Sequence, residues 1–163
     1  MTLPQDPRVR WPAGLQPENS PVFAHNELQV APPASAIWAW LLAAPRWREF
    51  YSNCWRMQLP PGAHVLAPGM RFTWWTLGVP VETVVEVFEP HRHLAWSGRG
   101  AGSRGYHAWL LEESPGGTRL VTEETQAGPV VRILAPALRR ALLHFHQRWL
   151  EGLARVASRD APA

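Results

Sequence analysis

The sequence contains no lysine, so its sixteen basic residues are all arginine. A lysine amine is the group that forms a Schiff base with a carbonyl substrate or with pyridoxal phosphate, so that enzyme class is excluded. Cys54 is the single cysteine, which excludes an intrachain disulfide and fits a reducing compartment. No run approaches the ~20 apolar residues that a membrane-spanning helix needs.

A secretory signal is also missing from the first residues, because residues 1–21 lack an apolar run. These absences together predict a cytoplasmic protein without stable membrane insertion. Five prolines in residues 1–21 indicate a flexible, extended arm. We expect one domain over residues 22–157, followed by a short tail at residues 158–163.

The segment between residues 22 and 128 reads mainly as strands. Alternation of apolar and polar residues predicts a first strand from residue 22 to Val30 and about six more strands after Asn53, joined by short turns. Consecutive strands with short turns pair antiparallel. Two short helices lie between the first and second strands, one over residues 34–43 and one that begins at Pro45.

The C-terminal segment has helical periodicity. Pro136 suits the first turn of a long helix that reaches about Val156, and the preceding GPVVRIL is read as an introductory turn. Leu142, Phe145 and Trp149 lie on its apolar stripe, with His146 at the edge of that stripe. The element order is therefore α+β, with the long helix packed against an antiparallel sheet.

Several stretches resemble, in order and spacing, the helix-grip superfamily of START, Bet v 1 and polyketide cyclase/dehydrase proteins. They are APPASAIWAWL, GMRF, VVEVFEPHRHLAWSGRG and YHAWLLEESPGGTRLVTEETQAG. The resemblance implies a curved sheet of six to seven strands wrapped around the C-terminal helix. It also implies an internal cavity for a small hydrophobic molecule, aromatic, polyketide-like or lipid-like.

Ten tryptophans are the most unusual feature of the composition. Strand alternation sends the neighbours Trp74 and Trp75 to opposite faces, with Trp74 facing inward. Applied to the implied fold, this alternation and the apolar stripe of the long helix, together with the short helices near the implied cavity mouth, predict a set of inward ligand-binding side chains. They are Trp47, Tyr51, Trp55, Met57, Phe72, Trp74, Val85, Trp96, Trp109, Leu142, Phe145, His146 and Trp149.

His107 and Glu124 are the candidate catalytic residues on the inward face. A histidine in an apolar cavity can act as a general base, although it can equally satisfy a structural hydrogen bond. Glu124 has the same ambiguity, either an acid/base or a buried structural charge. If the protein is an enzyme, we expect cyclisation or dehydration by acid-base chemistry without a cofactor.

Other readings have less support in the residues. His91 and His93 provide two imidazoles without a third ligand, so no metal site is predicted. A net charge of only +3 and the absence of an RNA-reading strand motif argue against a nucleic-acid partner. The leading hypothesis is a binder of small hydrophobic molecules. The first alternative is an interaction module that acts through the arm and the arginine-rich surface, and the second, with less support, is a nucleic-acid binder that uses arginine and tryptophan. A homodimer also stays open.

Overall fold

The computed structural model describes residues 5–159 and contains one antiparallel sheet of seven strands. The strands are β1 (Val22–Val30), β2 (Trp55–Gln58), β3 (Arg71–Thr76), β4 (Val79–Glu89), β5 (His93–Gly100), β6 (Ser103–Ser114) and β7 (Gly117–Ala127). Their order is β1-β7-β6-β5-β4-β3-β2, so β1 closes a meander by pairing with the last strand. Helix α1 (Ala34–Leu42) and a 3-10 helix (Ala44–Glu49) follow β1, and α2 (Pro129–Ala157) follows β7. The predicted helix-grip fold is confirmed.

Helix α2 begins seven residues earlier than the sequence predicted. Pro129 occupies the first turn, after Gly128 with φ 134°, and Pro136 lies inside the helix. Proline does favour the first turn of a helix, but the proline in the first turn of α2 is Pro129 and not the predicted Pro136. A Cβ at position 128 would lie 2.4 Å from the Gly102 carbonyl oxygen, so the close approach of the β5–β6 turn requires glycine there.

Two parts of the predicted organisation fall at the ends of the chain. Residues 1–4 of the arm and residues 160–163 of the tail lie outside the described residues. Within residues 5–159, no helix is both long and apolar enough to cross a membrane.

Residues 5–21, the described part of the predicted flexible arm, pack as an N-terminal segment on the convex face of the sheet. Val9 and Leu15 are buried there against Tyr106 and against aliphatic residues of β5, β6 and β7. Trp11 makes edge-to-face contacts with Phe23 and Tyr106, at ring-centroid distances of 5.9 and 5.6 Å. The chain itself therefore covers the convex face over parts of β1, β5, β6 and β7.

Polar contacts also attach this segment to the sheet. Glu123 lies on the outer face of β7, yet it is 0% exposed because the segment covers it. Its Oε1 accepts a hydrogen bond from the backbone N–H of Asp6 at 2.7 Å and contacts Nδ1 of His25 at 2.7 Å. The hydrogen bond that the ring donates to Glu123 outweighs the desolvation of the ring and raises the pKa of His25.

This contact predicts a pH-dependent contribution to stability. A raised folded pKa means that the contribution is complete below the unfolded value of about 6.5 and is lost as pH rises through the folded pKa. We expect His25→Gln to cost about 1–2 kcal/mol at pH 6, because it removes a charged hydrogen bond, and less at pH 9. Urea denaturation at both pH values measures this, with exposed His144→Gln as the control. An equal cost at both pH values would exclude the charged pair.

Candidate functional site

Aromatic rings fill the space between the concave face of the sheet and α2. Neighbouring ring centroids lie 4.1 to 6.5 Å apart, the spacing of rings in direct contact. The seven rings, all buried, are Trp47, Tyr51, Phe72, Trp74, Trp96, Trp109 and Trp149. We call this set the aromatic core. The aromatic core occupies the volume in which the resemblance implied an internal cavity.

A small pocket remains beside the aromatic core. Its volume is about 60 Å³. A water molecule needs about 10–15 Å³ of such volume, so the pocket holds a few waters and is well below the ~300–1,000 Å³ of typical ligand sites. Its lining comes from five adjacent strands and the β3–β4 turn. The lining residues are Trp74, Thr76, Leu77, Val81, Thr83, Trp96, Gly98, Ser103, Gly105, Tyr106, His107, Glu124 and Gln126.

His107, Glu124 and His146 form a buried cluster at the inner end of this pocket. His107 comes from β6 and Glu124 from the paired position of β7, while His146 reaches them from α2. Glu124 Oε2 lies 3.2 Å from His107 Nδ1 and 3.0 Å from His146 Nε2. The two imidazoles are stacked with centroids 4.7 Å apart. Strand β6 and helix α2 thus each bring one imidazole to the same carboxylate oxygen on β7.

Two neighbours complete the hydrogen bonding of the cluster. Gln126 Nε2 donates to Glu124 Oε1 at 2.5 Å, and His107 Nε2 lies 2.6 Å from Thr122 Oγ1. His146 Nδ1 is buried and has no hydrogen-bond partner within the described residues. A buried polar atom without a partner costs free energy, so His146 is not at this position for packing alone.

The environment fixes the protonation states of two members. Burial lowers the pKa of His107 to about 3, which keeps the ring neutral near pH 7. Burial opposes ionisation of Glu124, but its interactions with the two imidazoles and the hydrogen bond from Gln126 outweigh burial and lower its pKa to about 2. The cluster is a carboxylate held by hydrogen-bond donors.

The structure brings together only part of the predicted ligand-binding set. Of those residues, Trp74 and Trp96 line the pocket, as do both predicted catalytic residues. The others in the main core are Trp47, Tyr51, Phe72, Val85, Trp109 and Trp149, with Met57 and Phe145 partly buried against them. Leu142 instead packs with Val22, Ala24 and Val131 beside β1, in a separate cluster.

Strict alternation predicts Trp55 on the inner face of the sheet, whereas the structure places it on the outer face. It is 52% exposed and lies under the Arg48 guanidinium, 3.8 Å from the ring centroid. It pairs with Trp75, and directly opposite residues of antiparallel strands share a face. Arg56 has φ 46° and the register shifts before Gln58, so a bulge breaks the alternation of β2.

Three polar residues of the site were not singled out from the sequence. Thr122 and Gln126 flank Glu124 on the same face of β7, and Thr83 accepts a hydrogen bond from Trp74 Nε1 at 3.1 Å. The signal was present in LVTEETQA, where every second residue after Leu120 is polar although that face is inward. A polar row on a buried face indicates a site.

Cys54, His91, His93 and Arg104 lie outside the cluster of His107, Glu124 and His146. His91 is exposed at a turn, whereas His93 is buried and has its pKa lowered by desolvation. Cys54 is buried, and desolvation raises the pKa of its thiol to about 12, so it is not a reactive thiolate. Arg104 donates to the Gly14 carbonyl oxygen at 3.3 Å, so it contacts the N-terminal segment on the convex side.

Solved structures share this architecture over most of the chain. A hypothetical protein from Helicobacter pylori is 30% identical, with a TM-score of 0.85 over 96% of this chain and 99% of that chain. A protein from Thermus thermophilus is 13% identical, with a TM-score of 0.70 over 83% of this chain and 97% of that one. DynU16 of the dynemicin biosynthetic locus is 18% identical, with a TM-score of 0.62 over 86% of this chain and 48% of that chain. The last two likenesses show the fold alone.

Sequence comparison gives the assignment. No curated protein matches the sequence. The profile of the family described as "Polyketide cyclase / dehydrase and lipid transport" matches residues 24–158. Because that match runs from β1 to the end of α2 and the fold agrees with it, this chain belongs to the polyketide cyclase/dehydrase and lipid transport family.

Proposed function

We propose that the protein binds a small apolar molecule that carries one hydrogen-bond donor, with the donor directed at Glu124. The observation that carries this proposal is a partly buried carboxylate, with its side chain 13% exposed, that faces a pocket walled by Trp74 and Trp96. A donor on the ligand would add a charge-assisted hydrogen bond, while the indole rings would contact its apolar part. The family description makes polyketide-like aromatics and lipids the first classes to test.

A ligand of that size requires the pocket to widen. Leu77, at the β3–β4 turn, packs with the N-terminal half of α2 in a small cluster separate from the aromatic core. That half of the helix is lightly packed, since Ile133 is 80% exposed and Leu134 also faces outward. Displacement of Leu77 and this half of α2 would enlarge the pocket without unpacking the aromatic core.

The electrostatics favour binding over proton transfer. A general acid or base works best when its pKa is near the operating pH. Glu124, with a pKa of about 2, is a weak base, and His107, with a pKa of about 3, is neutral near pH 7. Cyclisation or dehydration by these two residues is the second candidate. It requires a bound ligand to raise the pKa of Glu124 by displacing the donors that now surround it.

Intrinsic fluorescence tests the binding proposal. Flavonoids, fatty acids and steroids are titrated into the protein, and at least one class is expected to change the tryptophan emission. We expect Glu124→Gln to weaken binding of the responding ligand at least tenfold, because the charged acceptor is lost, which corresponds to about 1.4 kcal/mol. Trp55→Phe replaces an exposed indole by a phenyl ring and serves as the matched control, with unchanged affinity.

Two outcomes oppose the proposal. One is the absence of a response from all three classes together with no co-purified molecule in native mass spectrometry of the fresh protein. The other is a ligand whose affinity Glu124→Gln leaves unchanged, which would place binding outside the pocket.

A further inference from the structure

We infer that His107, Glu124 and His146 bind a divalent transition-metal ion. Their candidate ligand atoms are two imidazole nitrogens and a carboxylate oxygen, all within 4.8 Å of one another. Two histidines and one carboxylate, with further positions open, are a donor set that suits zinc or ferrous iron. The sequence did not indicate this site because its three ligands come from two strands and a distant helix.

The measured separations fit a shared ion. With metal–ligand bonds of about 2.1 Å, two ligand atoms on a tetrahedral centre lie about 3.4 Å apart. Glu124 Oε2 is 3.2 Å from His107 Nδ1 and 3.0 Å from His146 Nε2. Small side-chain shifts outward from the shared oxygen therefore suffice to admit an ion between the three atoms.

The surrounding groups support ligation through those atoms. Thr122 Oγ1 lies 2.6 Å from His107 Nε2, so it can accept that N–H and leave Nδ1 as the ligand. Gln126 binds Glu124 Oε1 and leaves Oε2 for the metal. The pocket of about 60 Å³ adjoins His107 and Glu124, which provides room for a water in an open coordination position.

Charge gives a second and independent argument. Within residues 5–159, the Glu124 carboxylate has no arginine at salt-bridge distance, and its ionic contacts are with the two imidazoles alone. The chain has no lysine. Buried charges are normally paired or coordinate a metal, and a bound cation would give this carboxylate a full positive partner.

This inference goes beyond the proposed function and can fail separately from it. Metal binding needs no organic ligand, and the fluorescence titration can be run in EDTA. If zinc does not bind while the EDTA titration responds, only the metal inference is lost. If zinc binds and no organic molecule does, only the proposed function is lost.

Isothermal titration calorimetry with Zn²⁺ alone, on protein first stripped with EDTA, tests the site. We expect one site per chain with a dissociation constant in the micromolar range or tighter, together with a zinc-dependent rise in the melting temperature. Co²⁺ bound there should show the visible absorption of a four- or five-coordinate site with nitrogen ligands. No stoichiometric binding by the wild-type protein overturns the inference.

Variants locate the ion. Glu124→Gln and His146→Gln are each expected to weaken zinc binding at least a hundredfold, because each removes a direct ligand. His144→Gln, an exposed histidine on the same helix, should leave the affinity unchanged. Circular dichroism confirms folding, and His107→Gln replaces either variant that does not fold. Wild-type affinity in the folded variants would move the ion to surface histidines and overturn the inference.

Discussion

Replacing Trp149 by alanine is expected to lower the free energy of unfolding by about 3–5 kcal/mol, as usual for removal of a buried large aromatic. Trp149 is 1% exposed and lies at the centre of the aromatic core. Its ring contacts Trp47, Tyr51, Trp74, Trp96 and Trp109 at centroid distances of 4.1 to 6.2 Å, where Tyr51 is stacked and the nearest. Alanine would leave a cavity that the neighbouring rings, attached to separate elements, can only partly close.

Thermal and urea denaturation measure this loss. At about 2–4 °C per kcal/mol for a chain of this size, the melting temperature should fall by roughly 6–20 °C. Trp55→Ala is the matched control, since Trp55 is 52% exposed, and it should cost less than about 1 kcal/mol. Indole added to Trp149→Ala should recover part of the stability by filling the new cavity.

A small loss in Trp149→Ala would change the interpretation of the interior. It would mean that the rings contact one another loosely and that the space between sheet and helix is already available to a ligand. A large loss with rescue by indole would establish that the tryptophans act as packing and that ligands use the pocket beside them. The two outcomes predict different affinities for bulky molecules.

The fold was predictable because its signals are local and repeated. Each strand carries alternation or an apolar run, each turn carries Gly or Pro, and one helical stripe follows. With short connections, a meander is the simplest pairing, and only the return of β1 to β7 is non-local. The choice of Pro136 over Pro129 for the start of α2 was wrong because both prolines suit a first turn.

Side-chain direction was less predictable, because one extra residue reverses alternation. The bulge in β2 turned Trp55 outward. A second register shift, between Val85 and Val87, sends Val85 into the main core and Val87 toward the outer cluster of Val9, Leu15 and Tyr106, although strict alternation would place both valines on one face. Neither bulge has a glycine or proline to reveal it in the sequence.

The sequence of β6 indicates that the outer face of the sheet needs cover, although the prolines of residues 5–21 indicate a flexible arm. Tyr106, Ala108 and Leu110 alternate with His107 and Trp109 along β6, so that strand is apolar on both faces. A strand of this kind needs cover on both sides, and α2 can cover only one.

The candidate site was predicted only in part from the sequence. Strand parity placed His107 and Glu124 together, but only the packing of α2 brings His146 to them.

Acid should destabilise the protein through His107. Its folded pKa of about 3 lies below the unfolded value of 6.5, so the unfolded chain binds a proton that the folded chain excludes. Stability is therefore complete above pH 6.5 and falls as pH drops toward 3, by about 2 kcal/mol between pH 7 and pH 5 at ~1.4 kcal/mol per unit. Glu124 has its pKa lowered from 4.5 to about 2, so its contribution is present above 4.5 and is lost below it.

His107→Gln separates the two contributions in the window from pH 7 to pH 5, where Glu124 stays ionised. The variant should be less stable than wild type at pH 7, because it loses contacts with the aromatic core, yet the difference should shrink by about 2 kcal/mol at pH 5. Urea denaturation in EDTA measures it without interference from metal, and exposed His144→Gln should keep the wild-type slope. If the free energy of unfolding of His107→Gln instead fell with pH as steeply as that of wild type, the His107 ring of the wild type would be protonated in the folded protein. Glu124 would then be its partner in an ion pair.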